Sequence, residues 1–400
     1  MQQRYAMPHP TAHERPFRPL PQQGSQKPMP FGCTVVAIVL LTLGITTPGA
    51  AQYIVPDAAM KDSIKKEVTK AMDYMEFGQG EDAMRVWRRI IDMDPGNPAF
   101  RYEFGVSAVL ARRYDTARTV VEPIYRDSIF RDQGYQLMGM IYLYLQDTLK
   151  ARETFEAGLA KYPKSGRLHY ELGSYHTVAG RLEQGMDFWI QGTRVEPTFP
   201  TNYFWVAKMH ANGPNKIWTL IFGEVFLNLE RNTEKTKEMS ELVFRTWNAG
   251  MRLGDTIDPI NFAHDSLLEK PGPTGASTMP FEMAFEYTAA TSAQPFIPDN
   301  GVLPRLTMQQ LVDLRYRMIA QWRRSGYDTL YTNSLIDWNI ELQKSGWFKE
   351  YLRWLYSWGD KKEMNDWFLK NERRYDTFLA WFTTNGMKFD KPLCLGLGCP

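Results

Sequence analysis

Cysteine is nearly missing: three residues in 400, Cys33, Cys394 and Cys399. So few sulfurs exclude a disulfide-built fold and a cysteine-rich metal centre. Histidine is also sparse, with six residues, two of them (His9, His13) in the first thirteen. Charge of one sign is absent, since 47 Lys+Arg face 45 Asp+Glu for a formal net charge of +2. Such a balance supplies no field for nucleic acid or acidic lipid. Long apolar runs are lacking too. The longest, Val35 to Ile45, has 11 residues and is short for a membrane span. No phosphate-cradling glycine loop, His-Glu-x-x-His or nucleophile elbow occurs, so the familiar motifs of nucleotide, zinc-peptidase and serine-hydrolase chemistry are missing.

What is present is a repeat. Ala83, Ala117, Ala151 and Gly185 are each 34 residues apart. Another small residue stands twelve before each of them: Ala71, Gly105, Gly139 and Gly173, with Ala207 one step further on. Counting position 1 at Ile64, Pro98, Asp132, Gly166 and Pro200, position 7 is Lys70, Phe104, Met138, Leu172 and Val206. Position 24 is large and apolar each time: Trp87, Val121, Phe155, Trp189. Position 32 is proline in three repeats, Pro95, Pro163 and Pro197, where a helix must stop. Repeat two departs, with Ile129 there and Pro123 inside its second helix. A period of 34 with small residues at two fixed points describes antiparallel helix pairs that cross closely.

These residues resemble the tetratricopeptide repeat (TPR) family over roughly residues 60 to 215. The tryptophan many members carry at position 4 is absent; Arg101, Tyr135, His169 and Tyr203 stand there. The resemblance implies an all-α fold, a TPR-type right-handed α-solenoid followed by a helical C-terminal module, and binding of peptides or protein surfaces. It also implies that positions 2, 5, 9 and 12 of each first helix line a concave groove. The candidate protein-binding residues are then Tyr102, Val106, Val109, Gln136, Met140, Arg167, Tyr170, Ser174, Phe204 and Lys208. The basic clamp that some members use on a terminal carboxylate is not among them. The groove reads as apolar with polar edges, and its aromatic groups are expected to face outward. Two occupants are open, an external protein or peptide and the chain itself, through its aromatic C-terminal helices or its proline-rich strap.

The order along the chain divides it as follows. Residues 1–51 read as a leader and signal peptide, rich in proline and glutamine before the apolar run, with Gly49 and Ala51 fitting cleavage before Gln52. Cleavage would remove four basic residues and Glu14, leaving 43 basic and 44 acidic groups. The expected location is the periplasm; the alternative is a chain anchored in the membrane by residues 35–45 through an uncleaved leader. Residues 52–211 form four to five repeats, and 212–254 a helical extension beyond Asn212-Gly213-Pro214. Residues 255–305, with Pro271-Gly272-Pro273 and Pro295-Phe296-Ile297-Pro298, read as an irregular strap. Residues 306–390 are an aromatic-rich helical module, and 391–400 a tail whose Cys394 and Cys399 are either bridged or free. Thr307 with Gln310 and Asp360 with Glu363 read as capping boxes. The run from Gly346 to Phe382 is similar to the C-terminal helical module of exported TPR proteins of the Bacteroidetes type.

Catalytic candidates are thin. His169, His176 and His210 fall on helix positions that pack between helices, so they read as core or boundary residues. His264-Asp265-Ser266 has the residue types of a triad, but adjacent residues rarely point at one another, and geometry defines a triad. No cofactor or metal is expected, and no nucleic acid. The leading function is a non-catalytic adaptor in the cell envelope that binds another protein. The alternatives are a structural subunit of an envelope assembly with its groove filled by its own chain, and, remotely, an enzyme with a site near residues 255–305.

Overall fold

A computed structural model describes residues 62–253, 260–263, 279–299, 303, 305–389 and 393–394. The leader and its cleavage point, His264 and nearly half of the strap lie outside them. Five helical hairpins come first: α1 (Asp62–Glu76) with α2 (Gly80–Met93), α3 (Pro98–Leu110) with α4 (Tyr114–Val121), α5 (Arg131–Tyr144) with α6 (Thr148–Lys161), α7 (Gly166–Val178) with α8 (Leu182–Val195), and α9 (Pro200–Ala211) with α10 (Ile217–Leu229). Then come α11 (Glu234–Ala249), α12 (Phe281–Ala293), α13 (Met308–Arg324), the single turn α14 (Tyr327–Leu330), α15 (Ser334–Ser345), α16 (Phe348–Leu355) and α17 (Lys361–Thr384). Among the described residues no strand forms, only one antiparallel bridge between Met251 and Ile260, and no helix is long and apolar enough to cross a membrane.

The small residues do the work their spacing predicts. A Cβ added at Gly105 would lie 2.2 Å from Val121, at Gly139 2.2 Å from Phe155, and at Gly173 2.3 Å from Trp189. Position 8 of each first helix therefore takes the large position-24 side chain of its own second helix directly against its backbone. Ala83, Ala117 and Ala151, at position 20, are fully buried. Burial of Trp87, Val121, Phe155 and Trp189 at 0–2 % exposure makes these contacts the apolar core of the array.

The turn inside each hairpin repeats as well. Gly78, Arg112, Gln146 and Gly180, again 34 apart, have φ of 70°, 59°, 63° and 78°. Each first helix ends on a left-handed residue, which lets the second helix double back. The fifth hairpin has Pro214 at this place, and proline is confined to negative φ. That is the physical reason the repeat spacing stops at Asn212. Glycine suits the left-handed region, and arginine and glutamine do not. Arg112→Gly and Gln146→Gly should each raise stability by up to about 1 kcal/mol. A urea titration reads this, and a loss of stability in both variants would refute the assigned turn.

Residues 212–254 hold α10, buried along nearly its whole length, and α11, capped by Thr233. The strap needs correcting. Within 255–305, residues Phe281–Ala293 form a 13-residue helix, α12, whose Phe281, Ala284, Phe285, Thr288, Ala289 and Ser292 make one buried face. Its i, i+3, i+4 spacing is short and flanked by proline, which hides it. A second correction concerns Glu363. Asp360 does cap α17, its carboxylate accepting from Glu363 N at 3.1 Å. The Glu363 side chain does not complete the box. It crosses to α13 and accepts from Met308 N at 2.6 Å and Gln309 N at 2.7 Å. After Asp360 the chain is helical from Lys361 to Thr384 with a break at Asn371, where φ is −133° and one helix gives way to the next across a kink. The expected box of Thr307 and Gln310 is present on α13.

The aromatic C-terminal run is a dense core, with Phe348, Tyr351, Tyr356, Phe378 and Phe382 all at most 2 % exposed. Its tail is tied to α15: Ser334 N donates to Cys394 O at 2.7 Å, and Cys394 N to Ser334 Oγ at 3.1 Å. Cys394 is disulfide-bonded, and its partner sulfur lies outside the described residues.

Candidate protein-binding groove

The first helices α3, α5, α7 and α9 carry the ten candidate residues, and the structure divides them in half. Tyr102, Val106, Val109, Tyr170 and Phe204 are buried, at 9 % exposure or less. Gln136, Met140, Arg167, Ser174 and Lys208 are half-buried. The expectation that the aromatic groups face outward is therefore corrected. Tyr102 stacks on Phe130 of the short 3-10 turn Ser128–Phe130, with ring centroids 4.7 Å apart. That turn replaces the proline-closed end of the second hairpin, because Pro123 shortens α4 to eight residues. Phe204 packs 5.2 Å from Phe226 of α10, with Lys208 and Lys235 over its ring at 5.2 and 5.6 Å. Trp189 Nε1 donates to the Tyr170 carbonyl at 3.1 Å, fixing the backbone beneath that ring. The cover seen on Tyr102 is thus the neighbouring turn, and that on Phe204 the continuing helices α10 and α11.

What remains accessible is a polar strip. It runs over Gln133, Gln136 and Met140 on α5, Arg167 and Ser174 on α7, and Lys208 on α9. Its centre is a chain of hydrogen bonds between adjacent hairpins. Arg167 Nη1 donates to Gln136 Oε1 at 2.9 Å, and Gln136 Nε2 donates to Glu171 Oε1 at 2.6 Å. Arg167 also lies over the Phe199 ring at 5.5 Å. At the C-terminal end of the strip Lys208 Nζ donates to Glu238 of α11 at 2.6 Å.

Position 6 of the repeat carries two carboxyls that the groove pattern overlooks, Glu103 and Glu171. Both are buried. Burial pushes Glu171 up to about 7, with Gln136 and Arg167 opposing the shift. Glu103 has no counterpart of Gln136. In the preceding hairpin the equivalent residue is Val68, and both Glu103 carboxyl oxygens are buried without a hydrogen-bond partner. Desolvation alone pushes its carboxyl up to about 8, so it stands protonated at neutral pH. Acidic residues at a fixed repeat position, opposite a glutamine in one hairpin and a valine in another, were the signal available in the sequence.

The histidines sit as core and boundary groups. His169 is buried, its Nδ1 2.7 Å from the Ser165 carbonyl. His176 Nδ1 accepts from Arg181 Nε at 2.9 Å, and its ring stacks on Phe188. His210 is half-buried, and desolvation pushes it down to about 4. Among the described residues no three metal-ligating side chains come together.

The tetratricopeptide-repeat family model matches residues 68–128 and 137–188. No curated protein matches the sequence. Among solved structures, MamA (residues 41 to the end) from Desulfovibrio magneticus RS-1 is 19 % identical. The alignment covers 44 % of this chain and 99 % of that one, with a TM-score of 0.33. A thermophilic TPR protein, TTC0263, from Thermus thermophilus is 12 % identical over 45 % of this chain and 98 % of that one, with a TM-score of 0.39. The match of the family model, together with the recurring position-8 to position-24 contacts, shows tetratricopeptide repeats in this chain, in the hairpins that run from α1 to α8.

Proposed function

We propose that this protein is a non-catalytic scaffold of the cell envelope that binds another protein or peptide along the half-exposed strip of α5, α7 and α9. The observation that carries the reading is the side-by-side stacking of first helices, which leaves Met140, Ser174 and Lys208 accessible at position 9 of three consecutive hairpins, with Gln136 and Arg167 beside them. Stacked repeats turn such residues into one continuous surface. The apolar run Val35 to Ile45 and the Gly49-x-Ala51 site support export and cleavage before Gln52. N-terminal sequencing of the protein from an envelope fraction should begin at Gln52 or a near neighbour; an intact chain in the cytosol would refute export.

The strip is tested by substitution. Met140→Arg combined with Ser174→Arg places two bulky cations on the strip; Ser174 also hydrogen-bonds the buried Tyr170, so Ser174→Ala is the control for that lost bond. The double variant should lose the partner co-purified with the wild type, whereas Ser174→Ala should keep it, and the double variant should keep the thermal midpoint of Ser174→Ala. Retained co-purification would count against this surface. Burial of Tyr102, Val106, Val109 and Phe204 favours a second reading, a structural subunit whose groove is filled by its own chain. In that case the double variant keeps its envelope assembly as well as its midpoint.

A further inference from the structure

Helices α10, α11, α12, α13 and α15 converge on an interior cavity of about 30 Å³. Its wall includes Leu220, Glu224, Phe285, Arg315, Trp322 and Asn339, each at most 8 % exposed. The wall is mostly apolar, and an apolar cavity of this kind would stay dry. The Trp247 indole on this wall has the Tyr356 hydroxyl beside it, but two other lining residues say otherwise. Trp322 Nε1 and Asn339 Oδ1 are buried and have no hydrogen-bond partner in the protein. The Asn339 amide nitrogen is already engaged, donating to Leu335 O at 2.9 Å, so its carbonyl oxygen is fixed as the side that needs a donor. One group is a donor and the other an acceptor, and leaving both dry is strongly unfavourable. The charges on the wall are paired with each other, Arg315 Nη1 lying 3.0 Å from Glu224 Oε2, so the cavity calls for no ion. The missing partner is therefore a neutral dipole that accepts from an indole N–H and donates to an amide carbonyl. The volume admits only something of water size, since one water needs roughly 10–15 Å³ of such space.

We propose that this cavity is a structural hydration site, in which one or two water molecules bridge Trp322 of α13 and Asn339 of α15 beside the Glu224–Arg315 pair. The water then belongs to the joint between the end of the helical array and the C-terminal helices.

Magnetic relaxation dispersion of water nuclei on the full chain counts long-lived internal waters. Trp322→Phe, which deletes the N–H and keeps an aromatic ring, should lose at least one of them, and Asn339→Leu should do the same. An unchanged count in both folded variants would overturn the proposal. A crystal of the wild-type protein under xenon pressure decides the matter without any variant. Water density within hydrogen-bond distance of Trp322 Nε1 and Asn339 Oδ1, with xenon excluded, is the expected result. Xenon occupying the cavity would overturn it.

Discussion

Replacing Arg315 with methionine should destabilise the protein by about 3–5 kcal/mol, the range for breaking a buried ion pair from one side. Arg315 of α13 and Glu224 of α10 have side chains 7 % and 2 % exposed. Arg315 Nη1 donates to Glu224 Oε2 at 3.0 Å and to the Tyr356 hydroxyl at 2.8 Å. The Tyr351 hydroxyl donates to Glu224 Oε1 at 3.1 Å and accepts from Asn228 Nδ2 at 2.7 Å. Burial alone would lower the guanidinium pKa, but Glu224 outweighs it and holds Arg315 above its ordinary value. Arg315→Met strands Glu224 in the interior without its counter-charge. Glu224→Met in the same chain removes the stranded charge and should restore most of the loss, because two apolar groups of similar volume replace the pair. Urea unfolding of the two single variants and the double checks this. A loss in the double variant equal to the sum of the two single losses would mean that the pair is not a unit.

Glu103→Leu should have the opposite sign. In the folded protein the carboxyl keeps its proton until about pH 8, whereas the unfolded chain releases it near the ordinary 4.5. Between those values the folded state binds the extra proton, so this group makes stability fall as pH rises, and its effect levels off above pH 8. One unit of pKa shift corresponds to about 1.4 kcal/mol, so at pH 8 the leucine variant should be more stable by an amount on the order of 3 kcal/mol. At pH 4 the two proteins should differ little. Glu103→Gln should likewise flatten the profile. Glu171, pushed up to about 7, bends it in the same direction within a narrower window. A wild-type stability that rises between pH 5 and 8, together with no gain in Glu103→Leu, would contradict the burial of an unpartnered acid.

How much of this was readable beforehand follows from how local each feature is. The hairpins were legible because one spacing carries one contact: Gly139 must be small because Phe155 leans on it, and the same holds for Gly173 and Trp189. The α13 cap was legible because Thr307 and Gln310 are three residues apart. The joint was not, since Glu224 and Arg315 are 91 residues apart and nothing in either neighbourhood names the other. Glu363 had the spacing of a box, but two unpaired N–H groups on α13 gave its carboxylate another partner. Helix α12 was masked by the prolines around it. The groove was half legible. Repeat positions told which side chains lie on the first helices, and Met140, Ser174 and Lys208 are accessible there. They could not tell that Phe130 would cover Tyr102, or that Phe226 would cover Phe204, because both covers come from departures from the repeat.

One surface, the strip over α5, α7 and α9, carries the proposed binding. Site-specific photocrosslinking in the living cell tests it most directly. A photoreactive residue placed at Met140, Ser174 or Lys208 should join the protein covalently to a second, different protein. The same residue at Glu153 or Asp187, exposed on second helices α6 and α8, should not. Crosslinks to that protein from Glu153 and Asp187 only, with none from the strip, would contradict the account.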